Sequence, residues 1–362
     1  MPNARDTSNT AAPMAVSNSL VPIQLRGELH ETIWGGQNLS TYAGKVIPEG
    51  MQIGESWETA IESVAINPLY ERKTLGQLVE MMGEHLLGWR AVELFGNRFP
   101  LLTKFLDARQ WLSVQVHPDD SYANTHEGGK LGKTETWYIL HAEPGAQLAL
   151  GLTHECTREE VRQAIAGAHL EDLLHTFPVQ AGDVVFVPAG TVHAIGPGVV
   201  LYELQEYSDL TYRLYDYGRL QANGQPRPLH IEQSLAVMNC GPAKSTTVTP
   251  IPLSDTALDG EQRILVACTY FLEEELRIRG SYPLETLGSS CHILTLLGGE
   301  CELWYETGRL SLSIGDTVVV PAALGPYRLE SEVEVRILLS YVPTANDPLA
   351  TLWRRSQPGF VE

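Results

Sequence analysis

A chain of 362 residues, 43% hydrophobic and 19% charged, has the composition of an ordinary globular protein with material for a large core and two β-rich lobes. Its formal net charge of −19 argues against nucleic acid and anionic membranes as general partners, and no apolar run reaches membrane-spanning length. The five cysteines (Cys156, Cys240, Cys268, Cys291, Cys301) are odd in number and lack CxxC spacing, so they read as reduced thiols of a cytoplasmic protein rather than a disulfide framework.

Residues 1–20 lack the basic-then-apolar layout of a signal peptide and read as a flexible tail, with order expected from Val21. Thr32–Gly36 reads as a strand end and tight turn, and Gly54–Glu58 as a second turn. Trp34 and Trp57 are core or rim aromatics on pattern, with Trp34 also a candidate for substrate contact. Leu75, Leu78, Val79 and Met82 recur at helical spacing behind Thr74 as cap, which predicts a helix over 74–88; a shorter one is expected over 89–95. Residues 99–108 read as a strand carrying Lys104, where a snorkelling edge lysine and a cavity cation are both open readings. Residues 118–131, polar and glycine-containing, are expected to be a loop with His126 as a solvated histidine.

Thr157-Arg158-Glu159-Glu160 is a capping box opening a helix to about Ala166, and a short helix is expected over 169–175. After the apolar run Val199–Leu204, alternation puts Thr211, Arg213 and Tyr215 on one face of a strand. Residues 224–230 form a Pro/Gly loop and Ile231–Met238 an amphipathic helix. The small, polar stretch 241–250 reads as a linker between a lobe of residues 21–240 and a second of residues 251–362.

Two stretches read as halves of a metal site. In Leu112–His117 apolar and polar residues alternate, so Ser113, Gln115 and His117 share one face of a strand. Glu135 opens the next apolar run, and His193 follows the run Val184–Val187 after a Pro188-Ala189-Gly190 turn. Two imidazoles, one carboxylate and one carboxamide make a borderline-hard ligand set, for which zinc leads and iron or manganese are alternatives. If the ligand is a phosphate, the scarce cations Lys104, Lys133, Arg213 and Arg219 are the ones to follow. Gly315–Ala322 echoes Gly182–Ala189, but the position of His193 then falls on Pro326 and that of Glu135 near Ser290 and Cys291. The second copy keeps turn and strand and lacks ligands.

Gly182, Pro188, Gly190 and His193 have the spacing of the cupin signature, and short strands joined by Gly/Pro turns fit such a jelly-roll. The expected fold is therefore mainly β, with two cupin barrels and a helical insertion, one barrel metallated and one structural. Gln115-x-His117 followed by Gly132-Lys133-Thr134-Glu135 resembles the type I phosphomannose isomerases, specifically the short bacterial form. So do Trp34-Gly35-Gly36, Gly54–Glu58, residues 99–108, 182–198, 205–219 and 229–239.

That resemblance implies one zinc ion per chain, held by Gln115, His117, Glu135 and His193. It implies a catalytic Arg213, cavity lysines Lys104 and Lys133, a cavity serine Ser113, and a further basic residue at Arg219. Glu206 falls in the family's Gln-Glu-x-Ser-Asp element and joins Lys133 and a metal-bound water as a candidate base. The implied reaction interconverts mannose 6-phosphate and fructose 6-phosphate through a cis-enediol(ate), with a small phosphosugar as partner and a monomer or homodimer as assembly. The competing readings are an isomerase of another phosphosugar, a redox-metal dioxygenase, and a non-catalytic sugar-binding bicupin.

Overall fold

A computed structural model describes residues 20–221, 223–253 and 260–360. The tail expected over residues 1–20 lies outside the described residues except for Leu20. The chain is mainly β, built from antiparallel sheets.

Two sheets face each other in the first lobe. One runs, in spatial order, Val184–Val187, Glu135–Ala142, Val199–Glu206, Leu101–Ala108, Glu28–Gly36 and Ile53–Trp57. The other runs Tyr212–Tyr215, Val114–Val116, His193–Ile195, Gln147–Leu152 and Leu174–Pro178. Alternation gives each central strand of the six-stranded sheet two apolar faces, as expected for a sheet covered on both sides. Leu106, Trp137, Ile139, Val185 and Leu201 point inward and meet Leu148, Leu150 and Ile195 of the facing sheet. Phe105, Tyr138, Phe186, Tyr202 and Leu204 point outward and pack in one core with Ile293, Val319 and Leu338 of a third sheet.

That third sheet is built largely from residues 251–341, yet it includes Ile23–Arg26, which pairs antiparallel with Thr317–Val320. The first described strand thus crosses to the far lobe and ties the two together. The closing helix Pro348–Ser356 adds Trp353, whose indole donates to Leu265 O at 3.1 Å and meets the Phe186 ring at 6.0 Å between centroids. No helix among the described residues is long and apolar enough to cross a membrane.

Four local expectations are corrected. Gly54–Glu58, read as a turn, falls largely within the strand Ile53–Trp57, which pairs with Glu28–Gly36 and Leu101–Ala108. The helix expected over 74–88 begins with the capping box of Thr74 and Gln77 but stops at Met82. Gly83 (φ 51°) breaks it, and the chain resumes as Glu84–Leu87 and Trp89–Phe95 around Gly88 (φ 90°). The stretch 118–131 is not all loop: Asp120–His126 is a helix, capped by Asp119 accepting from Tyr122 N–H at 2.8 Å, with His126 in its last turn. In place of a helix over 169–175, a short 3₁₀ turn at Leu170–Leu173 gives way to the strand Leu174–Pro178, because Leu174 and Phe177 are needed to cover the core. The helices Arg158–Ala166 and Ile231–Val237 form as read.

Candidate active site

Four elements bring the candidate ligands together. Gln115 and His193 are register partners on adjacent strands, and His117 follows one residue past the strand Val114–Val116. Glu135 opens its own strand opposite Val187, just before the turn to His193. Gly190 (φ 81°) makes that turn and donates its N–H to His117 O at 2.8 Å, stitching the two histidine segments together.

The imidazoles are held in one tautomer. His117 Nδ1 lies 2.7 Å from Leu210 O and His193 Nδ1 lies 2.8 Å from Thr191 O. A carbonyl only accepts, so both Nδ1 atoms carry the hydrogen and both Nε2 atoms present lone pairs. Burial, reinforced by Lys133 and His193, holds His117 well below its ordinary pKa. Burial, opposed by the Thr191 contact, brings His193 down to about 4. The two Nε2 atoms face the Glu135 carboxylate, His193 at 3.2 Å from Oε1 and His117 at 3.6 Å from Oε2. Gln115 Nε2 borders the same space, 3.2 Å from His193 Nε2.

Acceptors aimed at acceptors in a fully buried pocket fit a cation, and neutral imidazoles anchored through their far nitrogens are the usual second-shell arrangement of a metal ligand. Among the described residues, His117, Glu135 and His193 are the one group of His, Cys, Asp or Glu side chains able to hold a metal ion together. Gln115 can add the carboxamide, so the donor chemistry suits zinc or a neighbouring divalent ion.

Beside the ligands lies a buried charge cluster. Lys133 Nζ sits 2.6 Å from Glu135 Oε2, 3.4 Å from His117 Nε2 and 3.8 Å from Glu203 Oε1. Lys104 Nζ sits 3.3 Å from Glu203 Oε1 and 3.6 Å from Glu55 Oε2, and lies 4.7 Å over the Trp57 ring. Lys104 is thus a cavity cation rather than an edge lysine. Burial alone would raise Glu203, but Lys133, Lys104 and the indole N–H of Trp137 hold it at about 2. Burial would lower Lys133; the carboxylates of Glu135 and Glu203 outweigh it and raise it. Glu135 is pushed up by burial and by the Glu203 charge, against the pull of Lys133.

Glu203 is a site residue that the sequence reading missed. The signal was present: in Val199–Glu206 the pleat puts Glu203 on the face of Val199 and Leu201, both of the inner core. The same pleat places Glu206 on the opposite face with Tyr202 and Leu204. Its Oε1 accepts from Thr134 N–H at 2.8 Å and its own N–H donates to Thr134 O at 3.1 Å. Glu206 therefore braces the Lys133–Glu135 segment from behind.

Arg213 pairs in register with Gln115, and its Nε donates to Ser113 Oγ at 3.2 Å while Nη1 donates to Pro228 O at 3.0 Å. Burial, then the neighbouring Arg227, lowers its pKa, yet a guanidinium stays charged at any working pH. Arg219 sits further along the same edge, donating to Trp111 O at 2.5 Å, to Asp216 O at 3.3 Å and to the Asp216 carboxylate. Trp34 is buried in the inner core beside Leu106 and Trp137. A shielded metal position flanked by fixed cations suits chemistry in which negative charge grows on substrate oxygens.

A family model described as phosphomannose isomerase type I, catalytic domain, matches residues 23–157, which include Gln115, His117 and Glu135 but not His193. The mannose-6-phosphate isomerase of Streptococcus mutans is 39% identical over 323 residues, covering 87% of this chain and 96% of that one. The mannose-6-phosphate isomerase ManA of Bacillus subtilis is 38% identical, covering 86% and 97%. The crystal structure of the mannose 6-phosphate isomerase from Bacillus subtilis superposes with a TM-score of 0.78 at 32% identity, covering 88% of this chain and 99% of that one. A phosphomannose isomerase structure from Salmonella typhimurium shares the fold at a TM-score of 0.70 and 17% identity, covering 89% and 99%.

Proposed function

The chain belongs to the type I phosphomannose isomerase family, and from that premise we propose that it interconverts mannose 6-phosphate and fructose 6-phosphate with a divalent metal, zinc, at Gln115, His117, Glu135 and His193. The observation that carries this is the buried, acceptor-lined space between His117 Nε2, His193 Nε2 and Glu135, with Lys133 and Arg213 at its border.

The reaction moves a proton between C1 and C2 of an open-chain sugar through a cis-enediol(ate). The C–H bond beside a carbonyl is only weakly acidic, so charge growing on oxygen must be stabilised and a base must meet the carbon-bound proton. Bound zinc supplies Lewis acidity, polarising the sugar oxygens that gain charge. Arg213, fixed by Ser113 and the Pro228 carbonyl, adds a preorganised positive charge next to Gln115. Lys133, an ammonium held between Glu135 and Glu203, donates hydrogen bonds to the same oxygens and is placed to move a proton between O1 and O2. Glu203 keeps Lys104 and Lys133 oriented toward the cavity. Lys104, Ser113 and Arg219 contribute to substrate orientation, and the burial of the cluster excludes water from a reactive enediolate.

In this reading residues 21–240 supply the metal-binding cupin barrel and lend the strand Ile23–Arg26 to a second, metal-free barrel of residues 251–362, with 241–250 a linker, in a cytoplasmic monomer or homodimer. The test follows conversion of mannose 6-phosphate by purified protein before and after chelation, and again after adding back zinc. Turnover that disappears with the metal and returns with it supports the reading. A zinc-loaded protein that binds the sugar and never converts it sinks the catalytic reading in favour of a binding module.

A further inference from the structure

The cation row beside the ligands continues beyond Arg219. Arg227 and Arg219 converge on one buried carboxylate, Asp216, which Arg227 engages through Nε at 2.8 Å and Nη2 at 2.6 Å. The two arginines use their nitrogens differently. Nε, Nη1 and Nη2 of Arg219 already meet protein acceptors at Asp216 and Trp111. Arg227 has no hydrogen bond from Nη1 among the described residues, and its side chain lines an open cavity of about 480 Å³ with Thr32, Trp34, Glu55 and Gln221.

One further observation ties that cavity to the buried charge cluster. Glu55, on its wall, contacts Lys104, which in turn contacts Glu203 of the cluster beside the candidate ligands. Arg219 and Arg227 both meet the single carboxylate of Asp216, which leaves one of the two guanidinium charges uncompensated in a chain of net charge −19. The other carboxylates at the cavity do not cancel it: Glu55 is engaged by Trp57 Nε1 and Lys104, and Glu31 lies exposed at the rim.

We propose that Arg227, aimed by its two-point grip on Asp216, is the residue that recognises the phosphate of the substrate, while Arg213 serves the reacting end beside Gln115. The ligand class is a dianionic phosphomonoester, Nη1 of Arg227 donates to a phosphate oxygen, and Asp216 is a positioning residue that fixes the plane of the fork. The proposal rests on the isomerase reading for the identity of the sugar, but the anion site itself does not.

The test compares Arg227→Gln and Arg227→Lys with wild type, using Arg309→Gln in the second lobe as a surface control. Steady-state kinetics with mannose 6-phosphate give kcat and KM, and calorimetry with inorganic phosphate alone gives binding to the zinc-loaded protein. Arg227→Gln raises KM by about tenfold to a hundredfold, the range for a lost hydrogen bond to a charged group, with kcat within about twofold of wild type. Phosphate affinity weakens by a similar factor, and Arg227→Lys recovers part of it. A folded Arg227→Gln with unchanged KM and phosphate affinity overturns the proposal, as does a loss confined to kcat. If Arg227→Gln does not fold, Arg227→Lys carries the test: it keeps the charge without the fork, and unchanged KM and phosphate affinity again overturn it. If wild type binds phosphate, Arg227→Gln does not, and neither converts mannose 6-phosphate, the isomerase reading falls while the anion site stands.

Discussion

Glu135 Oε1 and His193 Nε2 face each other at 3.2 Å inside the inner core, two acceptor atoms directed at one space. In a medium of low effective dielectric such a pair is unfavourable unless a proton or a metal cation lies between them. Lys133 compensates from one side, but its ammonium reaches Oε2 rather than Oε1. The site is therefore poised for a cation, and its chemistry follows from what each neighbour does when that charge arrives.

Glu135→Gln keeps the shape of the ligand and removes its charge. Metal bound per chain, measured by atomic emission after gel filtration, should fall well below one equivalent, and turnover should drop by about a hundredfold or more. Full metal content in this variant would remove Glu135 from the ligand set.

Arg213→Ala should separate catalysis from metal binding. Its guanidinium meets Ser113 and Pro228 rather than any ligand atom, so metal content should stay at the wild-type level. The rate constant kcat should fall by about a hundredfold to a thousandfold, the usual cost of removing one preorganised oxyanion donor. Loss of metal together with activity would reassign Arg213 to a structural role.

Lys133→Met conserves length and removes the charge that balances Glu135 and Glu203. The expected result is kcat reduced by about a hundredfold with metal retained, because a bound divalent cation would itself offset the carboxylate charge. A variant within about threefold of wild type would show that Lys133 only balances charge.

Far from the site, Glu273 in the strand Leu272–Glu285 is fully buried, and neither carboxylate oxygen has a partner among the described residues. Burial, then the neighbouring Glu275, raises its pKa to about 8 from an ordinary 4.5. The folded state then holds a proton that the unfolded chain has released, so this residue's contribution to stability declines as pH rises from about 4.5 to about 8 and levels off above that. Glu273→Gln removes the titration. Melting temperatures at pH 5 and pH 8 should therefore differ less in the variant than in wild type, with the variant gaining a few kcal/mol relative to wild type at the higher pH. Parallel pH dependence in the two proteins would place the burden on another group, such as Glu274, also raised, to about 7.

Much of the site is legible before folding because its motifs are local. Ser113, Gln115 and His117 share a face by the two-residue period of an extended chain, and the Pro188–Gly190 turn sets His193 a fixed distance from its strand. Lys104 was ambiguous, since an isolated lysine in an apolar run looks the same whether it snorkels outward or points into a cavity. Its contacts with Glu55 and Glu203 lie 49 and 99 residues away in sequence. Glu203 shares a pleat face with Val199 and Leu201, which is legible locally, but the lysines it meets are set by comparably distant contacts. The resemblance names Arg219 as a further basic residue of the cavity, and only the fold shows its three nitrogens turned to Trp111 and Asp216. The helix Asp120–His126 was overlooked because a polar, glycine-flanked stretch resembles a loop until Asp119 is seen capping it.

Sequence by itself determined the β-rich class, the strand and turn positions around the ligands, and the family, because these depend on side-chain periodicity and on motifs spanning a few residues. Only the tertiary structure decided which tautomer each imidazole adopts, which carboxylate each lysine meets, and that Ile23–Arg26 completes the far lobe's sheet. Those outcomes depend on through-space electrostatics and on pairing between segments tens to hundreds of residues apart, which an alternation pattern along one strand does not encode.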